Sequence, residues 1–206
     1  MRLRSAISRA AALAAALAAA LPATAPIAGA QTFDFETTPP ADFTAVPFSI
    51  TSGGLTATFS SAAGFMVQPS PFVTLLGRAL MDNDATISPL TITFSAPLTG
   101  ISLRFGTNAP FTTTGLSLQA LLGATVVGSV SAPGAVPPGA LFPEGTIAFT
   151  GPAFTSVVLS TAAPDFAVDD LVATQPGVVP EPTSVVLVGT GALLIAGMAA
   201  RRRRAA

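Results

Sequence analysis

Carboxylates are the groups in this sequence whose spacing offers chemistry. Between Gln31 and Val179 stand Asp34, Glu36, Asp42, Asp82, Asp84, Glu144, Asp165, Asp169 and Asp170, with Arg78 and Arg104 as the cations. In Phe33-Asp34-Phe35-Glu36 acids alternate with phenylalanines, so a strand here turns Asp34 and Glu36 to solvent while both rings face a core. Asp169 and Asp170 are adjacent near the end of the last alternating apolar run. If the first and last strands pair, Asp34, Glu36, Asp169 and Asp170 converge, and an oxygen-rich group of that kind suits Ca²⁺, a hard cation. The competing reading makes them solvated charges that keep strand edges from pairing with other chains. Asp82-Asn83-Asp84 has the D-x-D spacing of some calcium loops, but it lacks the downstream Gly and Glu of an EF-hand, and turn chemistry explains it.

The rest of the composition excludes much. The 206-residue chain has no His, Cys, Trp or Tyr, and all 9 of its basic residues are Arg. This removes the commonest general base, zinc thiolate sites, disulfides, and the aromatic rings with a polar handle. Two carboxylates suffice for a glycosidase, but little else here would shape its sugar subsite, so the expectation is that the chain is not an enzyme. The net charge of −1 hides an acidic central segment between basic ends. Without clustered Lys or Arg in that segment there is no footprint for nucleic acid.

Strands must position these side chains. From Thr32 to Thr174 apolar residues alternate in short runs broken by Gly, Pro and Asn, with no competing helical period. The expected strands are 32–36, 55–59, 72–76, 90–95, 101–105, 115–122, 124–130, 146–149, 154–160 and 166–174. Leu90, Ile92 and Phe94 share a face, as do Ile101, Leu103 and Phe105, and the turn-like Ala96-Pro97-Leu98-Thr99-Gly100 between them predicts a hairpin. In the last run Phe166 and Val168 point inward, and Asp169-Asp170 break the alternation before Leu171 and Ala173 resume it, as a β-bulge requires. The Pro/Gly-rich 132–139 reads as an exposed loop. The expected fold is all-β, a single β-sandwich or jelly-roll ectodomain over residues 31–174 with a Phe-rich core, and a closed barrel is the alternative.

The two ends carry addresses. Arg2, Arg4 and Arg9 precede an uncharged Ala/Leu run from Ala10 to Leu21, and Ala28-Gly29-Ala30 follows, the layout of a secretory signal helix cut before Gln31. The ~12 apolar residues are too few to cross a ~30 Å hydrocarbon layer. Residues 1–30 are therefore expected to be a signal peptide handled by the secretion translocon and signal peptidase, with Ala28, Ala30 and Gln31 at the cut. After a linker at 175–179, Pro180-Glu181-Pro182 precedes the uncharged stretch 184–200 and then Arg201, Arg202, Arg203 and Arg204. As a helix those ~17 residues span about 26 Å, the short end of a transmembrane helix, and the arginines would hold its end in the cytoplasm. The two prolines keep the Pro-Glu-Pro box extended, a form that a peptidase can bind.

Box, helix and arginine cluster, in this order over 180–206, resemble the PEP-CTERM sorting signal. The resemblance implies recognition by exosortase, a membrane-embedded cysteine peptidase that removes the helix so that the protein is released or attached at the cell surface. The run from Asp165 to Ala173 likewise resembles the closing strand of β-sandwich ectodomains that carry this tail. Together these describe an exported chain that is a single-pass inner-membrane protein in transit and then a cell-surface or extracellular one. The expected role is non-enzymatic, in the cell surface or an extracellular polysaccharide matrix; the alternative is a carbohydrate-binding module with a structural calcium ion.

Overall fold

The computed structural model describes residues 29–37, 41–44, 47–62, 64–82 and 88–177, the segment 41–44 by its backbone alone. The signal segment through Ala28 lies outside the described residues, as do Asn83, Asp84 and everything from residue 178, which includes the Pro-Glu-Pro box, the apolar stretch and the arginine cluster. All but one of the described residues belong to one compact unit, Ala28–Pro176.

This unit is all-β. Its 11 strands are β1 (Ala30–Phe33), β2 (Ala41–Thr44), β3 (Phe48–Ser52), β4 (Leu55–Ser60), β5 (Phe65–Pro69), β6 (Arg78–Asp82), β7 (Leu90–Thr107), β8 (Leu116–Leu122), β9 (Thr125–Ala132), β10 (Glu144–Ser160) and β11 (Phe166–Thr174). They join edge to edge in antiparallel ladders, along the order β2-β5-β6-β11-β7-β10-β8-β9. Off that path, β1 pairs β11, and β4 pairs both β3 and β7.

Two long strands organise the rest. β7, of 18 residues, and β10, of 17, run side by side from Leu90 against Leu159 to Gly106 against Glu144. Their register slips between Thr150 and Phe154 and again before Ser156, where β10 contains Gly151-Pro152 and β7 contains Ala96-Pro97. Proline has no N–H to give to a ladder, so both prolines stand where the ladder is interrupted. This crease lets each long strand change neighbours. Residues 91–94 of β7 pair β4, and residues 100–107 pair β11. The expected hairpin at 96–100 is thus corrected: the two runs are one strand, because β10 breaks at the same level and the chain bends there without reversing. The expected strands at 146–149 and 154–160 merge into β10 in the same way.

Leu90, Ile92 and Phe94 before the crease, and Ile101, Leu103 and Phe105 after it, enter one core. Val67 of β5, Leu80 of β6 and Leu118 of β8 belong to that core too, although β11, β7 and β10 separate β6 from β8 in the sheet. These side chains meet only if the sheet folds over on itself. Phenylalanine supplies the bulk: Phe33, Phe35, Phe59, Phe105 and Phe154 are wholly buried, and Phe35 meets Phe59 edge to face at 5.5 Å. Each ring carries no polar atom that needs a partner, and its burial contributes about 1.5–3 kcal/mol.

The bulge in β11 is present. From Asp169 to Val172, β11 takes three steps while β7 takes two, from Arg104 to Ser102, and Asp170 adopts a φ of 48°. The inward face therefore passes from Phe166 and Val168 to Leu171 and Ala173 across the bulge.

Candidate functional site

β1 pairs β11 with Phe33 opposite Leu171, which sets Asp34 and Glu36 beside the bulge. Asp169, 3% exposed, stands opposite Arg104 of β7. Burial is the main cause that raises its pKa from 3.8 to about 6, and the charges of Asp170, Glu36 and Asp34 push the same way. The N–H of Asp170, which donates to Asp169 Oδ1 at 2.8 Å, opposes the rise. Pairing of the chain ends thus brings the four acids into one electrostatic neighbourhood, but the oxygens of Asp169, Asp170 and Glu36 are engaged separately. Asp170 faces the Arg104 guanidinium at 3.4 Å, and Glu36 Oε1 accepts the Arg78 backbone N–H at 2.9 Å. Among the described residues no three His, Cys, Asp or Glu side chains are grouped as they would be to hold a metal ion.

A second feature lies over the outer face of the same strands. Residues 72–76, expected as a strand, form part of a loop closed by a hydrogen bond from Ser70 N to Gly77 O at 2.8 Å. This loop lies across β6, β11 and β7, where Phe72 and Leu75 pack with Ala79, Met81, Ala167 and Phe142 in a small outer core. Gly106 makes this possible, since a Cβ there would collide with the Phe72 ring. The buried Glu144 takes the place of a strand partner: it accepts Val73 N at 2.8 Å, Thr74 N at 2.6 Å and the Thr74 hydroxyl. Arg104 adds a hydrogen bond from its guanidinium to Thr74 O at 2.8 Å. Polar backbone that a strand would satisfy by its ladder is satisfied here by one carboxylate and one guanidinium.

Beside this strap opens a cleft of about 260 Å³. Its apolar walls are Phe72, Phe142 and Phe166, with Pro71 and Met81, and its polar rim is Asp82, Asn108 and Asp165. Phe72 and Phe142 meet edge to face at 5.7 Å, and Phe166 is braced from behind by Phe65 at 5.5 Å. Asn108 Nδ2 donates to Asp165 Oδ2 at 2.9 Å, and its backbone N–H donates to Asp165 O at 2.9 Å, so amide and carboxylate are fixed to each other. Both keep acceptor capacity for a ligand. Elsewhere the surface has a different character: Ser49 with Thr58, Thr51 with Thr56 and Ser117 with Ser131 form hydroxyl pairs, each at 2.8 Å, between neighbouring strands.

Sequence reasoning reached the acidic neighbourhood but did not assemble the cleft, whose residues come from five separate segments of the chain. The available signal was slight. Phe72 follows Pro71, Phe142 precedes Pro143 and Phe166 follows Asp165, each a large apolar residue beside one that ends or turns a strand.

Fold and site together define an antiparallel all-β domain with an aromatic-walled cleft, lined by two acids, where β6 and β7 end and β10 and β11 begin. No family model matches the chain, and no curated protein matches it. Among solved structures, the catalytic domain of a GH87 alpha-1,3-glucanase in complex with nigerose is similar over 77% of this chain and 31% of its own, with 15% identity and a TM-score of 0.38. The enzymatically active domain of bacteriophage CBA120 tailspike protein 4 is similar over 57% of this chain, with 18% identity and a TM-score of 0.36; the present chain spans 19% of its length. A carbohydrate-binding module of Cellvibrio mixtus lichenase 5A, in complex with cellotriose, matches over 73% of this chain and 98% of its own at 10% identity and a TM-score of 0.31. Likeness at these scores assigns neither a family nor an activity.

Proposed function

We propose that this chain is a non-enzymatic exported protein of the cell surface or extracellular matrix, sorted by exosortase, whose domain holds extracellular polysaccharide in the cleft. The domain is read as a β-sandwich of jelly-roll type. One layer has β1, β2, β5, β6 and β11 with the later part of β7 and the earlier part of β10, and the other has β3, β4, β8 and β9 with the earlier part of β7 and the later part of β10. The observation that carries the function is the cleft: Phe72, Phe142 and Phe166 stand beside Asp82, Asn108 and Asp165. A sugar ring has an apolar C–H face and hydroxyl edges, and this arrangement offers the half-buried Phe142 ring, backed by the buried Phe72 and Phe166, to the first and oxygen and amide groups to the second. Its 260 Å³ fall just below the range of about 300–1,000 Å³ of small-molecule pockets, a size for one sugar ring. Binding is favoured over hydrolysis because Asp165, one of the two carboxylates that line the cleft, is tied to Asn108.

The test is retention of the secreted protein on xylan, mannan, a neutral β-glucan and alginate, with Phe142→Ala as the comparison. Retention on at least one of them, weakened about tenfold or more by the substitution, is the expected result; a wild-type protein retained on none sinks the binding reading. Intact mass from cells with and without exosortase tests sorting separately. A chain that keeps residues 184–206 in both would make it a membrane-anchored protein.

A further inference from the structure

We infer that the cleft continues onto a ledge formed by Phe111 and Leu141, so that the site grips a neutral polysaccharide chain over consecutive sugars. This rests on the polysaccharide reading and extends it from one ring to a polymer. Phe111 is 77% exposed and Leu141 54% exposed. Phe111 N donates to Leu141 O at 3.0 Å, Leu141 directly precedes Phe142 of the cleft wall, and Asn108 of the rim is three positions before Phe111. The ledge therefore shares with the cleft two of the five segments that build it.

Phe111 has a φ of 59°, in the left-handed region that side chains with a Cβ adopt only at a cost. The backbone N–H is used, on Leu141 O, but the ring gains no burial in return and stands in solvent. The loop is nevertheless held firmly: Thr112 Oγ1 donates to Ala109 O at 2.7 Å, Thr107 Oγ1 to Thr114 O at 3.0 Å, and Ala109 N to Thr107 O at 3.0 Å. Strain held in place by its surroundings, with a large apolar ring presented outward, marks a surface kept for a ligand. A fixed ring also loses little entropy when a sugar face stacks on it. The polymer is neutral because Asp82 and Asp165 line the cleft and no Arg does. Arg104 is committed to Asp170 and Thr74, so the cleft acids disfavour uronates and sulfates.

The experiment is calorimetry on the exported protein and its Phe111→Gly variant, with oligomers of one to six sugars from β-glucan, xylan, mannan and alginate. Glycine accepts the left-handed conformation, so the variant is expected to keep its melting temperature or gain ~2–4 °C. In the wild type, affinity for a neutral oligomer is expected to rise about three- to tenfold from one sugar to three. Phe111→Gly is expected to remove that rise and leave single-sugar affinity intact. Equal gains in both proteins overturn the ledge, as does alginate bound as tightly as the neutral oligomers. A concentration-dependent dimer that Phe111→Gly abolishes would assign the ledge to self-association and overturn it too. No binding of any oligomer by the wild type is a different failure, that of the polysaccharide reading itself.

Discussion

Replacing Asp169 by Asn tests the electrostatics of the bulge. Asp169 titrates at about 6 in the folded protein against 3.8 as its ordinary value. Because the folded pKa is the higher one, the folded state holds the proton more tightly, and stability falls as pH rises between the two values. The difference is about 2 pH units, which corresponds to about 3 kcal/mol lost between pH 4 and pH 7 if the full shift is expressed. Asn keeps the Oδ1 acceptor for Asp170 N and carries no charge, so at pH 4 variant and wild type should unfold alike. At pH 7.5 the variant should be more stable by about 2 kcal/mol, since its amide still needs partners in a buried position. With no Trp or Tyr in the chain, urea unfolding is best followed by far-UV circular dichroism. Other acids also titrate over this range, and comparison of variant with wild type isolates the one site. Equal pH slopes in the two proteins, or a wild type that gains stability relative to the variant from pH 4 to pH 7.5, would refute this account of Asp169.

Glu144→Ala should cost about 1–3 kcal/mol, because it removes the charged acceptor of the Val73 and Thr74 N–H groups, and those two amides should exchange hydrogen faster than their neighbours. Gly106→Ala should push the Phe72 ring out of the outer core, lowering stability by about 1–3 kcal/mol in urea titrations and weakening any ligand held by the cleft. Calcium at ~1 mM should move the melting temperature at pH 7.5 by less than about 1 °C, because the acids near Asp169 are engaged separately. A rise of several degrees that Glu36→Ala abolishes would establish the calcium site instead.

The sequence read well where local alternation and burial agree. β11 spans the expected residues, bulge included, because Asp169-Asp170 interrupts an otherwise regular inward pattern. β4, β8 and β9 also stand where alternation placed them, within a residue or two at their ends. The failures are tertiary. Ala96-Pro97 has the chemistry of a turn and becomes a crease only because β10 carries Gly151-Pro152 opposite, some fifty residues away, which no local window contains. Residues 72–76 alternate like a strand, but the N–H groups of Val73 and Thr74 are taken by Glu144, whose role no pattern near it marks. β3 alternates over only five residues, with Phe48 and Ile50 no more than half-buried, and β5 and β6, with Met66 and Met81 facing away from the main core, lack the strong alternation that flags a strand. The acidic neighbourhood could be anticipated because it needs only one pairing, β1 with β11. The cleft needs five segments placed at once.

The pairing of β1 with β11 also sets how the domain would respond to force. Thr174 lies opposite Ala30, so the two ends of the domain leave it side by side. A pull between those ends would open the short β1 ladder one bond at a time. A pull on Thr174 against drag on the body acts otherwise, because β11 is flanked by β7 on one side and by β6 and β1 on the other. Tension along it loads many hydrogen bonds together, in shear. A domain held by its C-terminal end in flowing medium would bear load through β11, whose ladders to β7, β6 and β1 share it.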